Sequence, residues 1–319
     1  MLFFYKKPYD YLKFTGNDRL DLINRLSSNE VKSLEKFKGI KTILTSDKAR
    51  FLDLITLYNF GDFVFSTCSF NNSKSVITHL DKYTIMDDFK ADNMSGTRET
   101  MLIFGNGAKN FVSEVFSIDT DGFTNNDFSI FIEEARHSMI ARNDDAFEGY
   151  NFIYASKDKD FYLNKIIDQK IKVKYDISEL RDSDYESRRI ELGIPKFGNE
   201  MNENTNPLEC GLTQYVSFTK GCYIGQEVIS RLDTYDKISK YLVAIITYDK
   251  IPGSAHNDCP KLLVDNNECG YVTSSTHSEK SGYTGLGFIK TTMLDYSKEY
   301  KIKSNGNITN CKIKKLPFK

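Results

Sequence analysis

R-R-I-E-L-G-I-P-K-F-G (188–198), N-P-L-E-C-G-L (206–212) and V-S-F-T-K-G-C-Y-I-G-Q-E-V-I-S-R (216–231) follow one another in a chain of 319 residues. In the first segment Glu191 ends a helical pattern just before Gly193 and Pro195, which stop it. A carboxylate at a helix C-terminus is opposed by the helix dipole. Either it pairs with Arg188 or Arg189, or its charge has a task of its own. In the third segment Lys220 to Gly225 is a loop with two glycines, leading into a helix predicted over Gln226 to Leu232. Main-chain donors at such a helix start favour anions and thiolates. Cys222 is then either a thiol with a lowered pKa beside Lys220 or a small buried side chain. Arg231 follows Glu227 by four residues, the spacing of a surface ion pair worth roughly 0.3–0.5 kcal/mol. The alternative is that Arg231 faces a ligand carboxylate.

Upstream of these segments, strands and helices are predicted to mix. Tyr11–Thr15 reads as a strand. Asn17 caps a helix to Leu26 in which Leu20, Ile23 and Leu26 share a face. Runs near 41–45, 51–58 and 62–67, punctuated by Ser46-Asp47-Lys48 and Asn59-Phe60-Gly61-Asp62, predict an antiparallel meander. A helix at 72–83, a strand at 100–104 and a helix around Phe111–Phe116 follow. Strands near 128–133, 138–142 and 151–155, a helix at 159–168, a strand at 171–174 and a helix at 178–192 repeat the pattern in kind. Strands with helices on one face indicate α+β modules of the split β-α-β, ferredoxin-like type. Downstream of about residue 237 only short strand-like runs remain, at 241–248, 261–264, 270–274, 285–289, 300–302 and 310–314. They predict a small all-β barrel. The expected division is therefore 1–235 for two interleaved α+β modules and 236–319 for the barrel.

Lys and Arg number 43 against 44 Asp and Glu, a balance that argues against a duplex nucleic-acid binder. The N-terminal M-L-F-F-Y-K-K has too short an apolar run for a signal peptide, and no run approaches the roughly 18 apolar residues of a membrane span. A cytoplasmic location is expected. Cysteines 68, 210, 222, 259, 269 and 311 are scattered, as thiols in a reducing compartment would be. His256, Cys259, Cys269 and His277 are zinc-capable but lack a zinc spacing, so no metal site is expected. Nothing in the sequence places a histidine beside Cys222 for hydrolase chemistry.

The combined segments resemble the YgfZ-like folate-binding proteins of the glycine-cleavage T-protein (aminomethyltransferase) superfamily. K-G-C-Y-I-G-Q-E-x-x-x-R is their signature: Lys220, Gly221, Cys222, Tyr223, Gly225, Gln226, Glu227 and Arg231. R-I-E-x-G-I-P-x-F-G and P-L-E-x-G-L precede it in the same order. G-Y-V-T-S (270–274) and G-L-G-F-I (285–289) resemble the family's barrel. The resemblance implies two ferredoxin-like modules and a β-barrel around a central site for tetrahydrofolate or a derivative. It gives Glu191 the pterin, whose ring N–H and amino group one carboxylate can accept together. Lys220 or Arg231 is left for the folate carboxylates. Cys222 stands where T-proteins usually carry an acid, which points to the YgfZ-like branch and a role in iron–sulfur cluster assembly or repair, with client or assembly proteins as partners. The T-protein leader with its G-W-x-x-P-V-Q-Y motif is absent, and the chain begins almost at F-T-G-N-D-R-L-D-L-I-N-R-L (14–26).

One feature points elsewhere. T-proteins place a catalytic aspartate in G-x-x-x-D-D-L-I, and the matching A-R-F-L-D-L-I-T (49–56) keeps a single acid, Asp53. A one-residue strand slip would reverse its face. The family asparagine of V-x-N-A is replaced around S-T-C-S (66–69). If the chain is an enzyme, it is a folate-dependent C1-group transferase of aminomethyltransferase or demethylase type, with Asp53 as acid or base. A third reading is a folate-binding module without catalysis, related to tRNA modification. No G-x-x-x-x-G-K-[ST] loop is present, so a GTPase half is lacking.

Overall fold

The computed structural model describes residues 1–144, 147–251, 259–278 and 282–317. They form two compact units. One consists of Met1–Leu44, Asp53–Arg181 and Thr219–Ile224, the other of Thr45–Leu52, Asp182–Phe218 and Gly225–Lys319.

The first unit runs β1 (Leu2–Lys7), β2 (Tyr9–Thr15), α1 (Arg19–Leu26), β3 (Gly39–Thr45), β4 (Phe51–Asn59), β5 (Val64–Ser69), α2 (Ser73–Tyr83), β6 (Lys90–Asn93), β7 (Arg98–Gly105), α3 (Ala108–Phe116), β8 (Phe128–Glu133), β9 (Arg136–Asn143), β10 (Gly149–Ala155), α4 (Lys159–Ile167), α5 (Gln169–Tyr175) and β11 (Ile177–Glu179). β3 and β4 begin or end in the second unit's Thr45–Leu52. The strands make two sheets, ordered β11-β1-β7-β10-β9-β8 and β3-β4-β5-β2-β6. Each carries helices on a face, the ferredoxin-like α+β arrangement expected from the element order. Phe111, Val112 and Val115 of α3 and Tyr162 and Ile166 of α4 pack with Met101, Ile103 and Phe152 of the six-stranded sheet. The other face of that sheet gives Phe128, Met139, Ala141 and Ile153 to a cluster with Tyr11, Tyr58 and Phe65 of the five-stranded sheet. Each buried Val, Ile, Phe or Met side chain among them stabilises the fold by about 1.5–3 kcal/mol.

Three local expectations are corrected. Residues 171–174 are helix, within α5. Their I-K-V-K alternation imitates a strand, but Asp168 caps the first turn by accepting from Lys170 N at 2.9 Å. Ile171 and Tyr175, four residues apart, share the face that packs on the core. The helix predicted from 178 starts at Asp182, because Ile177–Glu179 pairs in parallel with β1. Asn17 is not the cap of α1. Asp18 holds that position, and Asn17 N donates instead to Asp88 Oδ2 at 2.8 Å.

The second unit holds α6 (Asp182–Glu191), α7 (Gln226–Thr234) and strands β12 (Lys240–Thr247), β13 (Lys261–Val264), β14 (Asn267–Ser278), β15 (Gly282–Lys290), β16 (Tyr300–Ser304) and β17 (Asn307–Lys314). The strands close into the predicted barrel in the order β12-β15-β14-β13-β16-β17. Val243, Ile245, Leu262, Val272, Ile289, Ile302 and Ile313 fill it. Among the described residues no helix is long and apolar enough to cross a membrane.

Candidate functional site

α6 lies on the barrel through buried Ile190 and a 2.6 Å hydrogen bond between the Ser187 and Thr276 hydroxyls. It stops as its sequence predicts. Gly193 adopts φ 71, and a Cβ there would come within 2.7 Å of Leu316. Gly193 N donates to Ile190 O at 3.0 Å and Ile194 N to Arg189 O at 2.9 Å, closing the helix end. Arg189 is buried and fully engaged. It donates to both carboxylate oxygens of Glu186 (3.0 and 2.6 Å), to Glu200 Oε2 (3.2 Å), to Ile194 O (2.5 Å) and to Ser274 Oγ (2.8 Å). Burial pushes the Glu186 carboxyl up, but the Arg189 guanidinium and the Lys196 ammonium together hold the group below its ordinary pKa. Glu200, also fully buried, accepts in addition from Thr273 and Ser274 at 2.5 and 2.6 Å and from Lys196 N at 2.9 Å.

Glu191, two residues beyond Arg189, is half-buried. No hydrogen bond or ion pair joins its carboxylate to another described residue. Arg189 is turned to Glu186 and Glu200 instead, so the pairing with that arginine does not form. Residues two apart on a helix point to different faces, which explains the separation. A half-buried carboxylate held at a rigid helix end can accept two adjacent N–H donors.

The K-G-C-Y-I-G segment is built around Lys220. Its ammonium is buried and donates to three main-chain carbonyls at the end of α1: Asn24 (2.7 Å), Ser27 (2.9 Å) and Asn29 (2.6 Å). The Asn24 carbonyl is one that the helix end leaves without an intrahelical partner, and those of Ser27 and Asn29 belong to the cap and the chain just beyond it. The three ammonium protons are thereby directed to main-chain carbonyls. Burial pushes Lys220 down to about 8, with Glu30 opposing. Ile224 N donates to Arg25 O at 2.9 Å, and Tyr223 is buried with its ring 5.1 Å from the ammonium. Between these anchors Gly221 and Cys222 are exposed. Cys222 precedes Gly225, the N-cap of α7, by three residues, so it lies ahead of the helix start rather than on it. Gly225 is required where it stands: its φ is 80, and a Cβ would sit 2.7 Å from Ser46 O. Glu227 and Arg231 are both exposed, and no ion pair joins them.

Asp53 is fully buried on β4. Its carboxylate accepts from Ser69 N (3.0 Å), Ser69 Oγ (2.6 Å) and Asn72 Nδ2 (2.9 Å), at the start of α2. Burial pushes its pKa up to about 6 against these hydrogen bonds. Asp10, not singled out in the sequence, caps the same helix by accepting from Ser73 N at 3.0 Å. A buried acid with a pKa near neutrality can hold or release a proton at working pH.

Asp53, Lys220 and Cys222 belong to the first unit, Glu191 and Arg231 to the second. No group of three metal-capable side chains comes together among the described residues, and His256 lies outside them. All six cysteines are unbridged.

The chain is 27% identical over 289 residues to a chloroplastic protein of Arabidopsis thaliana named as a transferase, covering 88% of this chain and 63% of that one. It is 23% identical to an aminomethyltransferase of Flavobacterium psychrophilum, covering 95% of this chain and 83% of the relative. The fold superposes on the glycine cleavage system aminomethyltransferase T of Bartonella henselae with a TM-score of 0.83 at 15% identity, over 100% of this chain and 86% of the other. Residues 7–220 match the GCVT N-terminal domain family. A match over that much of the chain, on a fold of the same kind, makes this protein a member of the GCVT family.

Proposed function

We propose that this protein binds tetrahydrofolate or a derivative and, as a YgfZ-like member of its superfamily, supports iron–sulfur cluster assembly or repair. The observation that carries the folate reading is the Glu191 carboxylate, half-buried at a closed helix end and joined to no cation among the described residues. Glu191 would hold the ring N–H and amino group of the pterin. The bound folate would supply a carrier for one-carbon units. The YgfZ-like assignment rests on K-G-C-Y-I-G-Q-E-x-x-x-R and on the exposed thiol that its anchored loop displays. That thiol is suited to a transient contact with a cluster or client, and unbridged cysteines suit a reducing compartment such as the cytoplasm.

A folate-dependent aminomethyltransferase is the second reading, favoured by the relatives of that name and by Asp53. Asp53 would then exchange a proton with the folate-bound one-carbon group.

Calorimetry of tetrahydrofolate binding to the wild type, Glu191→Ala and Cys222→Ala tests the proposal. Saturable binding that Glu191→Ala abolishes and Cys222→Ala keeps is the expected result. A wild type that binds no tetrahydrofolate would sink it.

A further inference from the structure

Glu209, the acid of N-P-L-E-C-G-L, is buried, and its hydrogen bonds go to neutral donors. Oε1 accepts from Ser239 Oγ at 2.6 Å and Oε2 from Asn206 N at 3.2 Å. Two cations stand off the same Oε2, Arg50 Nη1 at 3.9 Å and Lys240 Nζ at 4.0 Å. Both donate instead to the carbonyl of Asn204, at 3.3 and 3.0 Å. A guanidinium and an ammonium thus converge on one oxygen, with two positive charges facing one negative.

Lys240 is the inner member. Its side chain is 18% exposed, touches the Tyr271 hydroxyl at 3.1 Å and lies over the rings of Tyr271 and Phe288. Burial pushes its pKa down; Glu209 opposes this and the Arg50 charge adds to it. Arg50 is the outer member, 44% exposed, and Nη1 is the guanidinium nitrogen that donates to a described residue. Its backbone is fixed. Ser46 N donates to Arg50 O at 2.9 Å, Arg50 N to Ser46 Oγ at 3.2 Å, and Phe51 N to Thr205 O at 3.0 Å. A cation ordered in advance loses little freedom when it binds.

We propose that Arg50 and Lys240, both held by the Asn204 carbonyl and only partly neutralised by Glu209, form an oxyanion site that takes a carboxylate or phosphate group. Arg50 makes the contact through Nε and Nη2, which bond no described residue while Nη1 stays on the Asn204 carbonyl, and Lys240 supplies positive charge behind it. An ion network serving stability alone would close its salt bridges. Here Glu209 leaves both cations at the edge of contact, and a bound anion relieves their mutual repulsion. The site does not depend on the folate reading.

Thermal unfolding of the full chain in chloride, phosphate and glutarate, at matched ionic strength and pH, tests it. Phosphate or glutarate should raise the wild-type midpoint saturably over chloride, and the more effective one names the chemistry of the natural ligand. Arg50→Met should weaken the apparent affinity by about tenfold or more, the loss expected for a charge-assisted hydrogen bond, and Lys240→Met, which removes the charge behind it, should weaken it by a smaller factor. Glu209→Gln removes the competing charge and should tighten it a few-fold, a gain that a merely structural glutamate does not produce. No anion-specific shift in the wild type, or an equal shift in Arg50→Met, would overturn the proposal. Should Arg50→Met fail to fold, Lys240→Met and Glu209→Gln carry the same comparison.

Discussion

Lys220 Nζ donates to the carbonyl oxygen of Asn24 at 2.7 Å and so closes the end of α1. The signature lysine is a helix cap supplied from a distant part of the chain, and the cysteine two residues later is displayed by that cap. This gives the motif a physical order: Lys220 and Ile224 anchor, Tyr223 packs, Gly221 and Cys222 stay outside.

Lys220→Met should therefore destabilise the fold. It strands three carbonyls that accept charge-assisted hydrogen bonds at 2.6–2.9 Å. The expected loss is about 2–4 kcal/mol, read as a lower urea midpoint with an unchanged slope. Lys220→Arg should not restore it, because a planar fork does not match three acceptors around a compact ammonium. A Lys220→Met protein as stable as the wild type would show that the cap contributes nothing.

Asp53 should make stability pH-dependent. Its folded pKa of about 6 lies above the ordinary carboxylate value of 3.8. The folded chain binds that proton more tightly than the unfolded chain. The resulting stabilisation is fully present below about pH 4 and is lost as the pH rises through 6. At neutral pH the ionised, buried Asp53 costs on the order of 3 kcal/mol. Asparagine can keep the same partners: its carbonyl accepts from Ser69 N and Asn72, and its amide donates to a rotated Ser69 hydroxyl. Asp53→Asn should then be the more stable protein at pH 7–8 and show a flatter profile between pH 4 and 7. Denaturation at several pH values decides this. A variant less stable at every pH would mean that the hydrogen bonds outweigh the burial.

Legibility from sequence followed the range of the forces involved. The barrel was readable because its strands are short, regular and punctuated by Gly- and Asn-rich turns. α5 was not, because seven residues of I-K-V-K type fit both periods, and the deciding contacts of Ile171 and Tyr175 are tertiary. The end of α6 at Gly193 was readable as local chemistry. The partners of Arg189 were not: Glu186 lies on the same helix, but Glu200 and Ser274 come from elsewhere in the chain. Lys220 is the extreme case. Its charge pointed to an anion, while the carbonyls it bonds, those of Asn24, Ser27 and Asn29, lie 191 to 196 residues earlier. Glu209 sat in a quoted motif, yet its two cations come from β12 and from the turn before β4.

Cys222 should be the first thiol to react under native conditions. It is exposed, whereas Cys68, Cys210, Cys269 and Cys311 are buried and Cys259 is intermediate. Burial pushes the thiols of Cys68, Cys210 and Cys269 up and that of Cys311 to about 12, so their thiolate fractions at pH 8 are very small. Reaction with a chromogenic disulfide reagent should show one fast thiol, a slower second from Cys259, and the rest only on unfolding. Cys222→Ser should remove the fast phase and leave the others unchanged. Mass mapping after brief alkylation checks the assignment. If a buried cysteine is modified as fast as Cys222, the unit that contains it opens on the timescale of the reaction, and the anchored loop is not what sets thiol access.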